Sequence, residues 1–470
     1  MKRKLLALLL ALCLTLGVTP AFADEAQVQP LPAWSNEVLA DGLALGLMSS
    51  DITATHSSIV TMEQVEAMSD VVANKLALLD LPLAEASEEA LVLDTTRGGV
   101  VNALYQAVAA YEIEGIDQAP ADYMVSIGVL EGDEGGLNLE RDCTVLEAAT
   151  MAVRLVLAIY DQCNAGSLGL LWKATSAAGD TLYLLGSIHT DMNNTYPFHK
   201  QLRDVIENAD EVIFELNFND TAQLAEFAAM QIYSDGTTLA DHISPELYEM
   251  VVSVCAQLGL DEQTVSMYKA WALASTLQTL AIQDDTTSSN ALAVDLYINQ
   301  AAVCNGASIE AAETYTFQGG IFDGLSPEYQ EQYLAIGVLM CMDVNSMTEE
   351  QKAAIAEILG EEALEPEYLE LLAAQDDAIA GLMDTWKNRD VAGFETAYNK
   401  EAIIESDDEL NSKLFTERDP GMIAYAQQYM EREGIQNGLM VVGAGHMVGD
   451  GGIVAGLRNL GYTVELVAQP

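Results

Sequence analysis

Two histidines end near-matching phrases: His189 closes "LYLLGSIH" and His446 closes "LMVVGAGH", each reached from an apolar run through Gly-x-x. A short apolar run bounded by glycine reads as a strand buried on both faces. Ligands of a parallel sheet bind beyond the carboxyl ends of its strands. A third such run, "EVIFEL", carries Glu215 near its end. The expectation is that His189, His446 and Glu215 meet at one rim of one sheet, although they come from opposite ends of the family of elements. Two imidazoles and a carboxylate with an open position suit a divalent transition metal of the manganese, cobalt or zinc class. Such an ion lowers the pKa of bound water and polarises a carbonyl for hydrolysis. Gly186, Gly443 and Gly445 are expected to let the backbone leave each strand where a Cβ would clash.

The elements that must position these groups are legible around them. "LLWKATSAAGDTLYLLGS" reads as a hairpin of two strands about "AAGD". "PFHKQLRDVIENAD" reads as a helix beginning at Pro197, and "EVIFELNF" as the next strand, which makes a strand–helix–strand unit of a parallel sheet. The far end repeats the theme with "GLMVVG", "GGIVAGLRNLG" and "YTVELVA". Between them, residues 220–430 are mostly helical patterns, and "DPG" at 419–421 marks the start of the last. The fold class expected is α/β: a mixed, largely parallel sheet built from both ends of residues 166–470, with a long helical insertion.

A small all-α region precedes it. From Trp34 to about Tyr160 the chain alternates amphipathic helices with short loops, and Thr61, Thr96 and Thr144 stand where N-caps belong. Helix, glycine-containing loop and Thr-capped helix recur as a weak repeat. The fullest copy, "ADYMVSIGVLEGDEGGLNLERDCTVLEAATMAVRLV", resembles an S-layer homology repeat. The copies are degenerate, since Val145 and Leu146 follow Thr144, and Gly99 stands where Thr96 and Arg97 would lead to an acid. A cell-wall polysaccharide is the partner that resemblance implies, and a helical spacer is the plainer alternative.

With 72 Asp+Glu against 19 Lys+Arg, the net charge of -53 repels nucleic acid and anionic lipid. "MKRK", the apolar run after it and "AFA" at 21–23 read as a signal peptide over residues 1–23. That implies export and an extracellular or wall-associated protein with no transmembrane segment after cleavage. The remaining cysteines, Cys143, Cys163, Cys255, Cys304 and Cys341, form no Cys-x-x-Cys; most are expected to be buried, with a Cys143–Cys163 bridge left open. His199 and His242 are expected to be structural, and His56 carries no motif. "GDGG" at 449–452 lacks the Lys-Ser/Thr of a phosphate-binding loop.

From about Leu171 to Val467 the chain resembles the TraB/GumN family, related to the Tiki proteases. The resemblance rests on "LYLLGSIHT", "ADEVIFELN", "GTTLADHISPELYEMV", "YKAW", "VDLYINQAA", "EAAETYTFQ", "ERD" and "LMVVGAGHMVGDGGIVAGLRNLGYTVE". It implies an α/β domain of the erythromycin esterase-like and ChaN-like kind. It also implies a metal-dependent peptidase in which His189 and His446 bind metal with Glu215 as acidic partner. Glu313 and Gln318, in "ETYTFQ", correspond to the family's Glu-Thr…Gln segment and are expected to complete the shell or hold the nucleophilic water. Arg418 corresponds to the family's Arg-Asn pair, with Asp419 in the Asn position, and Ala270 stands where the family usually has proline. Arg418 and Lys269 also stand out as rare cations. Arg418 suits a bidentate clamp on a substrate carboxylate or, equally, a salt bridge within an acidic body.

Two function classes follow. One is a secreted metal-dependent hydrolase acting on a peptide or protein with Glu215, Glu313 and Arg418 as its catalytic groups. The other is a non-catalytic envelope-associated protein whose rim holds a ligand or metal. A wall-anchored structural protein is a third and plainer class.

Overall fold

The computed structural model describes residues 31–84, 91–188, 192–282, 292–373, 375–406, 408–434 and 437–470. The expected signal peptide, Cys13 and His189 lie outside these residues. The N-terminal region is helical, with α1 (Met62–Ala77), α2 (Arg97–Ala109) and α3 (Val145–Gln162) as its longest elements. Each begins at the threonine the sequence marks. Thr61 and Thr144 form capping boxes with Gln64 and Glu147, and the Thr96 side chain accepts from the Gly99 amide. Satisfying these first-turn amides stabilises a helix by about 1 kcal/mol each.

The second region is mixed α/β around six strands: β1 (Leu170–Thr175), β2 (Thr181–Ser187), β3 (Glu211–Phe214), β4 (Ser308–Ala311), β5 (Gly438–Gly443) and β6 (Thr463–Leu466). Their order is β4-β3-β5-β2-β1-β6. β2, β5, β3 and β4 run parallel, and β1 is antiparallel to both β2 and β6. The sheet is therefore largely parallel, as expected, but its connections differ from the reading above. β3 does not pair with β2; β5, from the far end of the chain, lies between them. β6 does not continue the parallel order and closes the opposite edge beside β1. β4 was not anticipated at all. Its four half-exposed or exposed residues give no apolar run to read.

β5 is buried along its whole length, which is why its sequence is continuously apolar instead of alternating. Burying each of its large aliphatic side chains contributes about 1.5–3 kcal/mol. The helices that matter for the site are α4 (Lys200–Glu207), α5 (Val294–Asn305), α6 (Tyr315–Asp323), α7 (Asp419–Met430), α8 (Ala444–Met447) and α9 (Ile453–Asn459). α4 starts at Lys200 and not at Pro197: the His199 side chain caps it, accepting from the Gln201 amide. His242 stacks on Tyr233 with ring centroids 4.2 Å apart, and His56 Nδ1 bonds the Thr53 carbonyl at 3.0 Å.

The two regions share one apolar core, which runs from Val65, Leu104 and Val153 to Leu184 and Val441. Polar contacts reinforce the join: Tyr297 on α5 donates to Asp41 at 3.0 Å, and Lys75 on α1 donates to the Tyr196 carbonyl at 3.0 Å. Arg203 on α4 pairs with Asp161 on α3. The five described cysteines are free thiols, so Cys143 and Cys163 are not bridged.

Candidate active site

Four parallel strands end on one rim, and the chain places a charged or polar side chain just past three of them. Glu215 follows β3 and Glu313 lies two residues beyond β4. The strands' pairing runs on past their ends: the Ala312 amide donates to the Phe214 carbonyl at 2.8 Å, and the Glu313 amide to the Glu215 carbonyl at 2.9 Å. β5 ends at Gly443, whose amide donates to Glu215 Oε1 at 2.7 Å. The backbone then turns into α8, which carries His446.

The glycines act here through close approach. Neither Gly186 nor Gly445 has a positive φ, and Gly443 has φ -50°. A Cβ on Gly186 would stand 2.9 Å from the Ala444 Cα, so the end of β2 and the start of α8 touch only because a side chain is missing. A Cβ on Gly445 would collide with the Tyr398 hydroxyl. Trp386 holds the other side by donating its indole N–H to the Gly186 carbonyl at 2.6 Å.

Arg418, immediately before α7, sits at the centre of the cluster with 1% of its side chain exposed. Its Nη2 reaches Glu215 Oε2 at 2.6 Å and Glu313 Oε2 at 2.7 Å, while its Nε lies 3.1 Å and 3.0 Å from the two Glu313 oxygens. Gln318 on α6 donates to the same pair, at 3.2 Å to Glu215 and 2.9 Å to Glu313. The fork of Arg418 is thus engaged within the protein by two glutamates. Of the two roles open to it from sequence, the internal salt bridge is the one the geometry displays. Lys269 pairs instead with Asp323, the last residue of α6, at 2.7 Å.

His446 faces two acids. Its Nδ1 lies 2.6 Å from Asp419 Oδ1, and its Nε2 is 3.9 Å from Glu215 Oε1. The Nε2 atom is buried and has no hydrogen-bond partner among the described residues. Lys400, with 2% of its side chain exposed, donates to Asp419 Oδ2 at 2.6 Å and to the Val448 carbonyl at 3.0 Å. Lys400 went unnoticed in the sequence. Its one signal was being a cation in a chain with 19, and "NKEAII" carries no strand or glycine landmark around it.

The electrostatics follow from this packing. Burial alone would raise the Glu215 carboxyl, but Arg418, His446 and the Gly443 amide outweigh it and hold its pKa at about 2. Burial opposes the Arg418 charge, yet Glu215 and Glu313 push its pKa above the ordinary guanidinium value. For Lys400 burial lowers the pKa, and Asp419 works against that.

The chemistry of the donor set bears on a metal. Glu215 Oε1 and His446 Nε2 form an oxygen–nitrogen pair of the kind a divalent transition ion accepts. A buried acceptor without a partner costs about 1–3 kcal/mol, so the orphaned Nε2 is itself a reason to expect a ligand there. Among the described residues no three His, Cys, Asp or Glu side chains gather to hold an ion. The pair fits as part of a donor set whose third member must come from elsewhere; the His189 of the sequence reading lies outside the described residues.

A largely parallel sheet with a buried carboxylate–arginine–histidine cluster at its carboxyl rim defines an α/β protein with a concentrated polar site. Residues 170–466 match the model of the TraB/PrgY/gumN family, and the chain belongs to that family. No curated protein and no solved structure matches it.

Proposed function

We propose that this protein is an exported, metal-dependent hydrolase, with peptides or proteins as substrates, related to the Tiki proteases and built on an erythromycin esterase-like or ChaN-like scaffold. The observation that carries the reading is the buried His446 Nε2, without a hydrogen-bond partner among the described residues and 3.9 Å from an oxygen of an anionic Glu215. His446, Glu215 and His189 would hold the ion. When bound, it would supply a water of lowered pKa and a Lewis acid for the scissile carbonyl. The protein's own groups divide the remaining work. Asp419 orients the imidazole; Arg418 holds Glu215 ionised and in place; Glu313 braces Arg418 from the other side, and Gln318 links the two glutamates.

Metal content of the purified full chain, followed by peptide-library cleavage with and without chelator, tests this. Expected are a bound divalent ion and cleavage that is lost with chelator and in His189→Ala and His446→Ala. Tight retention of a ligand with no turnover would replace the enzyme by the non-catalytic envelope-associated binder.

A second reading concerns the helical region, where a pocket of about 410 Å³ is lined by Trp34, Arg97, Asp133, Asn138, Arg141 and Arg154, among others. Trp34 is half exposed there, and an aromatic face beside several hydrogen-bonding side chains suits a sugar ring. This supports the S-layer-homology-like reading and a wall polysaccharide as partner. Sedimentation of the full chain with purified cell walls should fall in Trp34→Ala; unchanged sedimentation would remove this role.

A further inference from the structure

A carboxylate can only accept hydrogen bonds, so Asp419 requires His446 Nδ1 to carry the hydrogen, and in the neutral imidazole the lone pair then lies on Nε2. What holds Asp419 in that pose is a second cation. Lys400 Nζ takes the other Asp419 oxygen at 2.6 Å and, with the same ammonium group, the carbonyl of Val448, two residues beyond His446. The ammonium also sits 4.8 Å from the centroid of the Phe415 ring, whose centroid is 5.3 Å from that of His446. Lys400 therefore fixes the acid, the loop and the aromatic wall around one imidazole. An asparagine at position 419, the residue in the resembling family pattern, could present either its oxygen or its amide N–H₂ to Nδ1. An aspartate removes that ambiguity but adds a buried negative charge, which Lys400 offsets.

We propose that Lys400 is a positioning residue: by clamping Asp419 and the Val448 carbonyl together, it locks His446 in the tautomer whose free Nε2 faces Glu215. The value of that lock to catalysis rests on the function proposed above; the lock itself does not.

Nitrogen-15 histidine NMR on the metal-free full chain reads it directly, with His446 assigned by its loss in His446→Gln. Wild type should show a protonated Nδ1 and a lone-pair Nε2. Hydrogen on Nε2, or an even mixture of tautomers, overturns the proposal at once. In Lys400→Met the two tautomers should mix, and the dissociation constant for Zn²⁺ should rise about 10–100-fold, while Lys400→Arg stays near wild type. If the methionine variant does not fold, Lys400→Gln, which is neutral and too short to hold Asp419 and the Val448 carbonyl at once, keeps Asp419 in place and should show the same mixing. A folded variant of either kind that keeps the single wild-type tautomer refutes the lock. Wild-type protein that takes up no Zn²⁺ yet shows the locked tautomer would defeat the metal reading alone.

Discussion

Arg418 is the residue whose loss the site could tolerate least. Two glutamates converge on it with almost no access to water, so Arg418→Met leaves two carboxylates facing each other without a cation. Removing one partner of a buried ionic cluster costs about 3–5 kcal/mol. Urea unfolding should register a loss of that size, and a loss under 1 kcal/mol would mean that water reaches the cluster. Glu215 makes a related prediction about acid. Its pKa is depressed from 4.5 to about 2, so its contribution to stability is complete above pH 4.5 and disappears as the pH falls toward 2. The linkage relation makes that contribution on the order of 3 kcal/mol. In metal-free protein, the fall of unfolding free energy across that window should be shallower for Glu215→Gln than for wild type.

At the scale of elements, the approach of α8 to its neighbours depends on absent methyl groups at Gly186 and Gly445. Gly445→Ala should destabilise the protein by about 1–3 kcal/mol through overpacking against Tyr398, and Tyr398→Phe should recover part of it. Thermal melts of the two single variants and the double variant give the coupling. The sequence was a good guide to elements of this kind. "LYLLGS" and "LMVVG" became buried neighbouring strands because continuous apolar runs have few other fates, and the threonine caps fell where their side chains could reach an amide. It was a poor guide where placement depended on partners distant in the chain. β4 owes its pairing to β3, and β6 chose β1 over its own nearest strand. Of the site, Glu215, Glu313, Gln318, Arg418, Asp419 and His446 are gathered into one cluster. Lys400 became visible only when burial showed what it holds.

Across the whole molecule, a continuous core and the Tyr297–Asp41, Lys75–Tyr196 and Arg203–Asp161 contacts tie the helical region to the sheet. Calorimetry of the full chain should therefore give one cooperative transition, and two well-separated peaks would show that the regions unfold apart. The charge of -53 adds a second expectation at this scale. Self-repulsion destabilises a compact state, so monovalent salt at a few hundred millimolar should raise the melting temperature. The position of β5 has a further meaning for how the molecule is made. The central strand is supplied by residues 438–443, which leave the ribosome after more than nine-tenths of the chain. Until they arrive, β2 and β3 have a gap between them and His446 does not exist. A truncated translation product thus lacks both the strand that joins β2 to β3 and the imidazole of the polar cluster, because one late segment supplies the two together.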